Sequence, residues 1–208
     1  MMMGPRIGWL LGLCLLSACK TAPPPPPPAR APFAVEDYRE RAPSEIAVLP
    51  PTIAPNFGTE EGDLLREHVY TRLIEKGYTV LDPAFVDQAV SSQVARGRRS
   101  SEAAPPSVAS MRASLDTDAY LFLDVVNVKV LPGVDPSVYR IEVRATLLDG
   151  GITGGTLFEH RIPVTYEVDY GENRELSRAQ LDDILRRYAA QLINSLPGRM
   201  GPGVKVSG

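Results

Sequence analysis

A run of six consecutive prolines at residues 23–28 divides the chain into an N-terminal leader and a longer C-terminal part. Proline lacks a backbone N–H and has a fixed φ, so this run can join neither a helix nor the interior of a sheet and favours polyproline II. Pro32 and Pro43 follow, with few apolar side chains around them. We therefore predict a proline-rich tether over residues 19–44, which would reach roughly 75 Å at ~3.1 Å per residue.

The leader combines a short basic start, an apolar stretch and a cysteine. Residues 1–6 carry one charge, on Arg6, and residues 7–16 are apolar, a stretch too short to span a bilayer, which takes ~20 residues. The next residues, Leu16-Ser17-Ala18-Cys19, match the lipobox, in which small residues enter the peptidase and the thiol accepts diacylglycerol. The sequence therefore predicts a signal peptide over residues 1–18 and lipidation of Cys19.

The acyl chains on Cys19, palmitate among them, would hold the protein firmly, since each buried CH₂ contributes roughly 0.8 kcal/mol. Lys20 follows the cysteine where inner-membrane retention uses Asp, which favours the outer membrane, with the domain facing the periplasm. Two alternatives are an ordinary secretory signal with an incidental cysteine and a buried N-terminal helix. The other cysteine, Cys14, also lies in the leader, so the later sequence contains no disulfide and no cysteine metal site.

The remainder divides into a globular domain over residues 45–197 and a glycine-rich flexible tail over residues 198–208. Continuous apolar runs and clean alternation predict strands, whereas apolar residues at helical spacing predict helices. The last helix should begin with a capping box formed by Ser177 and Gln180. The predicted strands are residues 46–49, 78–81, 119–130, 138–148 and 156–168, and helices fall at 62–76, from 83 to a polar loop at 96–101, from 106, and from 177.

This order, β-α-β-α-α-β-β-β-α, predicts an α+β or α/β fold with one five-stranded mixed sheet packed against three to four helices. Together with the segments "IAVLPP", "EKGYTVLDP" and "LDTDAYLFLDV", it resembles a family of bacterial lipoproteins. The globular part of that family resembles the N-terminal domain of TolB, and its wider relatives include the periplasmic domains of CsgG and LpoB, with an anticodon-binding-domain-like fold. The resemblance covers about residues 44–196.

The resemblance implies a periplasmic interaction module that is not an enzyme and needs no cofactor. We expect an outer-membrane lipoprotein that binds an envelope protein of the secretion, assembly or cell-wall machinery, with oligomerisation left open. The alternatives are a regulator of a peptidoglycan synthase, as LpoB is, and an envelope hydrolase. A net charge of −3 gives no electrostatic basis for binding nucleic acid.

Two sequence features suggest ligand sites but favour structural roles. The glycine-rich loop at residues 150–155 joins two predicted strands, whereas a phosphate-binding loop leads into a helix, so we expect a hairpin. Asp116, Asp118 and Asp124 lack the ligand spacing of an EF-hand, and we expect the first two to cap or turn the chain into the central strand.

The remaining candidates are histidines and one basic cluster. His68 has no second histidine at zinc-like spacing, and His160 falls on the apolar side of its strand, so both are predicted to be structural. No Gly-x-Ser-x-Gly motif indicates a serine nucleophile. Arg96, Arg98 and Arg99 are either a solvated loop or a contact for an anionic envelope polymer or an acidic partner surface.

Overall fold

The computed structural model describes residues 31–55, 57–99, 108–131, 137–151, 154–168 and 177–198, which form one mixed sheet with helices on both faces. The predicted fold class is therefore confirmed, although the sheet has six strands where the sequence predicted five. The elements in chain order are β1 (Phe33–Ala34), α1 (Tyr38–Arg41), β2 (Glu45–Val48), α2 (Thr59–Glu75), β3 (Thr79–Val80), α3 (Pro83–Arg99), α4 (Val108–Arg112), β4 (Ala119–Leu131), β5 (Ser137–Asp149), β6 (Thr156–Val168) and α5 (Arg178–Ser195).

The strands are arranged in the order β1-β6-β5-β4-β2-β3. β2 is parallel to both β3 and β4, whereas β4, β5 and β6 form an antiparallel meander of three 13-residue strands. The glycine loop joins β5 to β6, which confirms the predicted hairpin. The meander is much longer than the four-residue β2 beside it, so its far end extends beyond the parallel part of the sheet.

The additional strand, β1, lies within the segment that the sequence assigned to the tether. Phe33 pairs antiparallel with Glu159, and Val35 N–H donates to the Leu157 carbonyl at 3.1 Å. Tyr38, in the next turn, is 2% exposed and belongs to the main core. The folded region therefore begins upstream of residue 45, because the edge of β6 supplies hydrogen-bond partners that a two-residue segment could not find alone.

The main core lies between one face of the sheet and the pair α2 and α5. The predicted stripe Leu65, Val69 and Leu73 is fully buried on α2, and Tyr188 of α5 is fully buried opposite it. The capping box that begins α5 is confirmed, since the Ser177 hydroxyl accepts from Gln180 N–H and the Gln180 side chain accepts from Ser177 N–H. These helices cover one face of β4, β5 and β6. On β5 the residues that face them are odd-numbered, and the buried ones are Ile141, Val143, Ala145 and Leu147.

The opposite face of the sheet is only partly covered. A second apolar cluster joins α3 and α4 to the parallel strands, with Ala47, Leu49, Val86, Met111, Leu115 and Tyr120 as its buried members. α3 continues to Arg99, so the loop predicted from residue 96 is wrong. The apolar stripe ends near residue 94, but alanine and arginine are strong helix formers, and Gly97 costs only about 1 kcal/mol inside a helix.

Candidate functional site

Among the residues that the structure describes, the outer edge of β6 is unpaired over most of its length. β1 pairs only with Phe158 and Glu159, and within the described part of the chain no strand pairs with the outer side of residues 161–168. Unpaired backbone N–H and C=O groups at a sheet edge form a template for another strand. The edge of β6 is therefore a candidate surface for a protein partner.

The register of the meander fixes which residues of β6 present their backbone to this edge. Asp149 N–H donates to the Gly155 carbonyl at 2.8 Å. The backbone N–H and C=O groups of the odd-numbered residues of β5 are therefore directed toward β6. Their register partners are even-numbered residues of β6, such as Ile162 opposite Val143, and these point back toward β5. The outward row therefore consists of Arg161, Pro163, Thr165 and Glu167. Pro163 lies in this row, so its missing N–H costs the ladder between β5 and β6 nothing.

The sheet face next to this edge is charged. Cross-strand ion pairs join Arg144 to Asp124 at 3.3 Å and Arg161 to Glu142, with the two arginine side chains 47% and 43% exposed. At that exposure each pair contributes at most about 1 kcal/mol to stability. These charges therefore define the chemistry of the surface, which suits a polar partner, more than they hold the fold together.

A polar cleft of about 680 Å³ lies where β2 and β4 begin and β5 ends. Arg41 donates to the Asp149 carboxylate at 2.7 Å, and this hydrogen bond raises the pKa of Arg41 above its ordinary value, so the guanidinium stays charged. Asp118 accepts from the N–H groups of Ser44 and Glu45 at 2.8 and 3.1 Å, which ties the start of β2 to the turn before β4. Asp118 was expected to cap or turn the chain into β4; its carboxylate instead binds the backbone at the start of β2, while its own position lies just before β4.

The three aspartates considered for calcium are not brought together. Asp116 and Asp118 line the polar cleft, whereas Asp124 lies within β4 and pairs with Arg144. Among the described residues, no three His, Cys, Asp or Glu side chains are close enough to hold a metal ion.

Each histidine links a helix to another element. His68 Nε2 lies 2.9 Å from the Asp182 carboxylate, which joins α2 to α5. His160 is 7% exposed, and its Nδ1 lies 2.7 Å from the Ser195 hydroxyl. Ser195 Oγ donates to the Leu192 carbonyl at 2.6 Å, and its single proton is used there, so Nδ1–H of His160 is the donor to Ser195. In this arrangement the imidazole does not act as a base toward that hydroxyl.

Arg66 is a buried cation that sequence reasoning missed. Arg66 is 6% exposed, and its guanidinium donates to the Val48 carbonyl through Nε and Nη2 at 3.0 and 2.7 Å and pairs with Asp87 through Nη1 at 2.6 Å. It joins α2, β2 and α3 where the two cores meet. Helical periodicity gives no indication of this role, because the position is adjacent to the apolar stripe and its partners are distant in sequence.

Two sets of predicted site residues lie beyond what the structure describes. Cys19 is outside the described residues, and Arg96, Arg98 and Arg99 belong to the last turns of α3, with their side chains outside the described set. Within the described ranges, no helix combines the length and the apolar composition needed to cross a bilayer.

One indication of the open edge was present in the sequence, since a proline inside an alternating run marks an edge strand.

No protein-family model and no curated protein sequence matches the chain. Similar solved structures include the PelC dodecamer from Paraburkholderia phytofirmans, with 14% identity over 83% of this chain and 99% of that chain and a TM-score of 0.50, which shows a common fold. Lipoprotein GNA1162 from Neisseria meningitidis is 18% identical over 73% of this chain and 99% of its own, with a TM-score of 0.49. The C-terminal domain of LpoB from Salmonella enterica is 12% identical over 58% of this chain and 82% of its own, with a TM-score of 0.36. Bacterial lipoproteins are thus among the structures similar to this chain.

Proposed function

We propose that this chain is an envelope lipoprotein, anchored in the outer membrane through Cys19, whose domain serves without catalysis as a periplasmic interaction or assembly-accessory module. The observation that carries the proposal is the open edge of β6 beside a charged sheet face. Strand addition to such an edge uses backbone hydrogen bonds for affinity and side-chain pockets or charges for specificity.

The attachment of the tether supports the same role. β1 is the first element that the structure describes and pairs with β6, so the chain that leads from the anchor meets the domain at the strand that carries the open edge. Thirteen residues separate Cys19 from Phe33 and can span at most about 47 Å. This limit is shorter than the reach expected for a tether ending at residue 44, because the fold begins earlier. The open edge would therefore remain close to the membrane.

Anchoring is tested by replacing each of the two leader cysteines in the full-length protein. Cys19→Ala should abolish acylation and release the protein from outer-membrane fractions, or leave it unprocessed, because the thiol that accepts the diacylglycerol is gone. Cys14→Ala is the matched control, since that thiol lies outside the lipobox and should leave fractionation and mass unchanged. Mass spectrometry of the native protein should find an acylated N-terminal Cys19. An intact leader, or a Cys19→Ala protein that still floats with lipid after carbonate washing, would refute the anchor.

Partner binding is tested by cross-linking intact cells and recovering the protein under denaturing conditions. Recovery of envelope assembly or secretion proteins, reduced in the Cys19→Ala strain, is the expected result. Recovery of a peptidoglycan synthase would select the narrower role of synthase regulator. If the same proteins are recovered with and without the anchor, membrane attachment has no part in partner choice and the proposal is wrong.

A further inference from the structure

We propose that two copies of this chain associate edge to edge along β6, antiparallel, about a two-fold axis at Val164. The inference rests on the proposed interaction role and assigns the open edge to a second copy, which leaves the charged sheet face of each copy, with its Arg144–Asp124 and Arg161–Glu142 pairs, for an envelope protein. The argument uses the backbone row of β6, the order of its charges and the limits of its free segment.

The outward row offers its largest number of hydrogen bonds in one register. With the axis at Val164, Arg161 of one copy faces Glu167 of the other, and Pro163 faces Thr165. Arg161 and Glu167 exchange two bonds, and Thr165 N–H donates to the Pro163 carbonyl, so the symmetric pair makes six bonds. An axis at Thr165 gives four bonds within β6, and an axis at Pro163 also gives four, because two prolines then face each other.

The same register matches charges of opposite sign. Arg161 and Glu167 both belong to the outward backbone row of β6, and in this register they occupy directly opposed positions. Each arginine then faces a glutamate of the second copy, and the two-fold axis generates this pair twice. Opposite charges directly across two strands are favourable, and like charges there are unfavourable.

The even-numbered positions also match in sequence. Ile162, the one of them between residues 161 and 168 whose side chain the structure describes, is fully buried. With the axis at Val164, position 164 faces itself and Ile162 faces Tyr166, so apolar residues oppose apolar residues. A one-residue slip would place every side chain on the wrong face.

The limits of the free segment place the axis at its centre. Pairing with β1 stops at Glu159, and β6 ends at Val168. Val164 lies midway between the first position beyond β1 and the last position of the strand. The proposed pairing therefore uses the whole free segment of both copies, and neither β1 strand obstructs it.

Cysteine cross-linking in the full-length, membrane-anchored protein tests both the pairing and its register. Val164→Cys puts two thiols in directly opposed positions, whose Cβ atoms are about 4.5–5.5 Å apart and can be joined by a disulfide after a small adjustment. Thr165→Cys is the matched control, because in this register its two copies are diagonal neighbours, with Cα atoms more than about 7 Å apart. We expect Val164→Cys to give about tenfold more disulfide-linked dimer than Thr165→Cys on non-reducing gels, given that geometric limit.

Cross-linking mainly through Thr165→Cys would place the axis one residue away and overturn the proposed register. An absence of Val164→Cys dimer in folded, acylated protein, or a disulfide to a different envelope protein, would overturn the pairing. The unsubstituted protein distinguishes failure of the proposed lipid anchor from failure of the pairing. If it cross-links through a free Cys19 thiol, the lipid anchor is refuted, while the comparison of Val164→Cys with Thr165→Cys in a Cys19→Ala background still decides the pairing.

A charge exchange provides a second, independent test by analytical ultracentrifugation in detergent. Glu167→Lys places two like-charged pairs across the axis and should weaken the dimer about 2- to 30-fold, as expected for two cross-strand pairs. Arg161→Glu should do the same through two glutamate pairs. A mixture of the two variants contains only opposite-charge pairs across the interface, so mixed dimers should form more strongly than either variant alone. If the dimer dissociation constant of the mixture equalled those of the separate variants, the register would be contradicted.

Discussion

Replacing Gly150 by alanine should strongly destabilise the fold, because there is no room for a side chain where the loop after β5 passes the turn before β4. An added Cβ would lie 2.1 Å from the Thr117 carbonyl oxygen and 2.8 Å from that of Asp118, whereas real Cβ contacts stay above 3.0 Å. Both obstacles are backbone atoms, so no side-chain rotation relieves the contact. The loop itself must move.

The magnitude follows from the bonds that this movement disrupts. Gly150 N–H donates to the Asp118 carbonyl at 2.7 Å, and the Gly150 carbonyl accepts from Arg112 Nε at 2.6 Å. Two hydrogen bonds at about 1 kcal/mol each, with residual strain of similar size, give a loss of about 3 kcal/mol. For a domain of this size such a loss lowers Tm by about 6–12 °C.

Gly155→Ala is the matched control, since it makes the same substitution in the same loop. Nothing lies within 4 Å of its added Cβ, and its φ is not in the left-handed region. Its free energy of unfolding should stay within about 0.5 kcal/mol of the unsubstituted protein. Both variants are measured by urea unfolding of the full-length protein in mild detergent, followed by far-UV circular dichroism. Equal midpoints for Gly150→Ala and Gly155→Ala would refute the steric reasoning.

Two further predictions concern alkaline stability and the basic cluster. Burial, and then the hydrogen bond to Tyr78 at 3.2 Å, raise the pKa of Tyr38 far above 10.0. The neutral phenol therefore makes its full contribution to the free energy of unfolding below pH 10.0, and this contribution is lost as the pH rises above that value. Tyr38→Phe should therefore lower the free energy of unfolding by about 1 kcal/mol at neutral pH, and this free energy should fall less steeply with alkaline pH than in the unsubstituted protein. Urea unfolding at a series of pH values measures both, and parallel plots of free energy against pH would contradict the prediction. Reversing Arg96, Arg98 and Arg99 to glutamate should reduce recovery of anionic wall polymer or an envelope partner after cross-linking, and unchanged recovery at low salt would argue against a contact there.

The parts of the fold that the sequence predicted well have strong local patterns. The alternation of apolar and polar residues after the glycine loop predicted β6 with its observed bounds, because a half-buried antiparallel strand repeats every two residues. The stripe Leu65, Val69 and Leu73 predicted α2 for the corresponding reason at helical spacing. Ser177 and Gln180 fixed the start of α5, because their capping bonds lie within one turn of chain.

The parts that the sequence did not predict depend on contacts between distant segments. β1 has only two residues and no periodicity, and it becomes a strand because β6 offers it an edge. The ion pair between Arg41 and Asp149 joins residues 108 positions apart. Arg66 likewise finds its carbonyl acceptor only once β2 is in place. Local pattern predicts elements, whereas these contacts require the assembled sheet.

The charges and the proline on the edge of β6 have two physical effects that act together. A strand of arbitrary sequence that approached this edge would lose one hydrogen bond at Pro163 and would meet a positive charge at Arg161 and a negative charge at Glu167, which discourages indiscriminate pairing. An antiparallel second copy presents the same charges in inverse order, so each meets its opposite. Its Thr165 also supplies the donor that bonds the Pro163 carbonyl. The features that reject most strands therefore favour one partner in one register, and protection of the edge and recognition of a second copy arise from the same three residues.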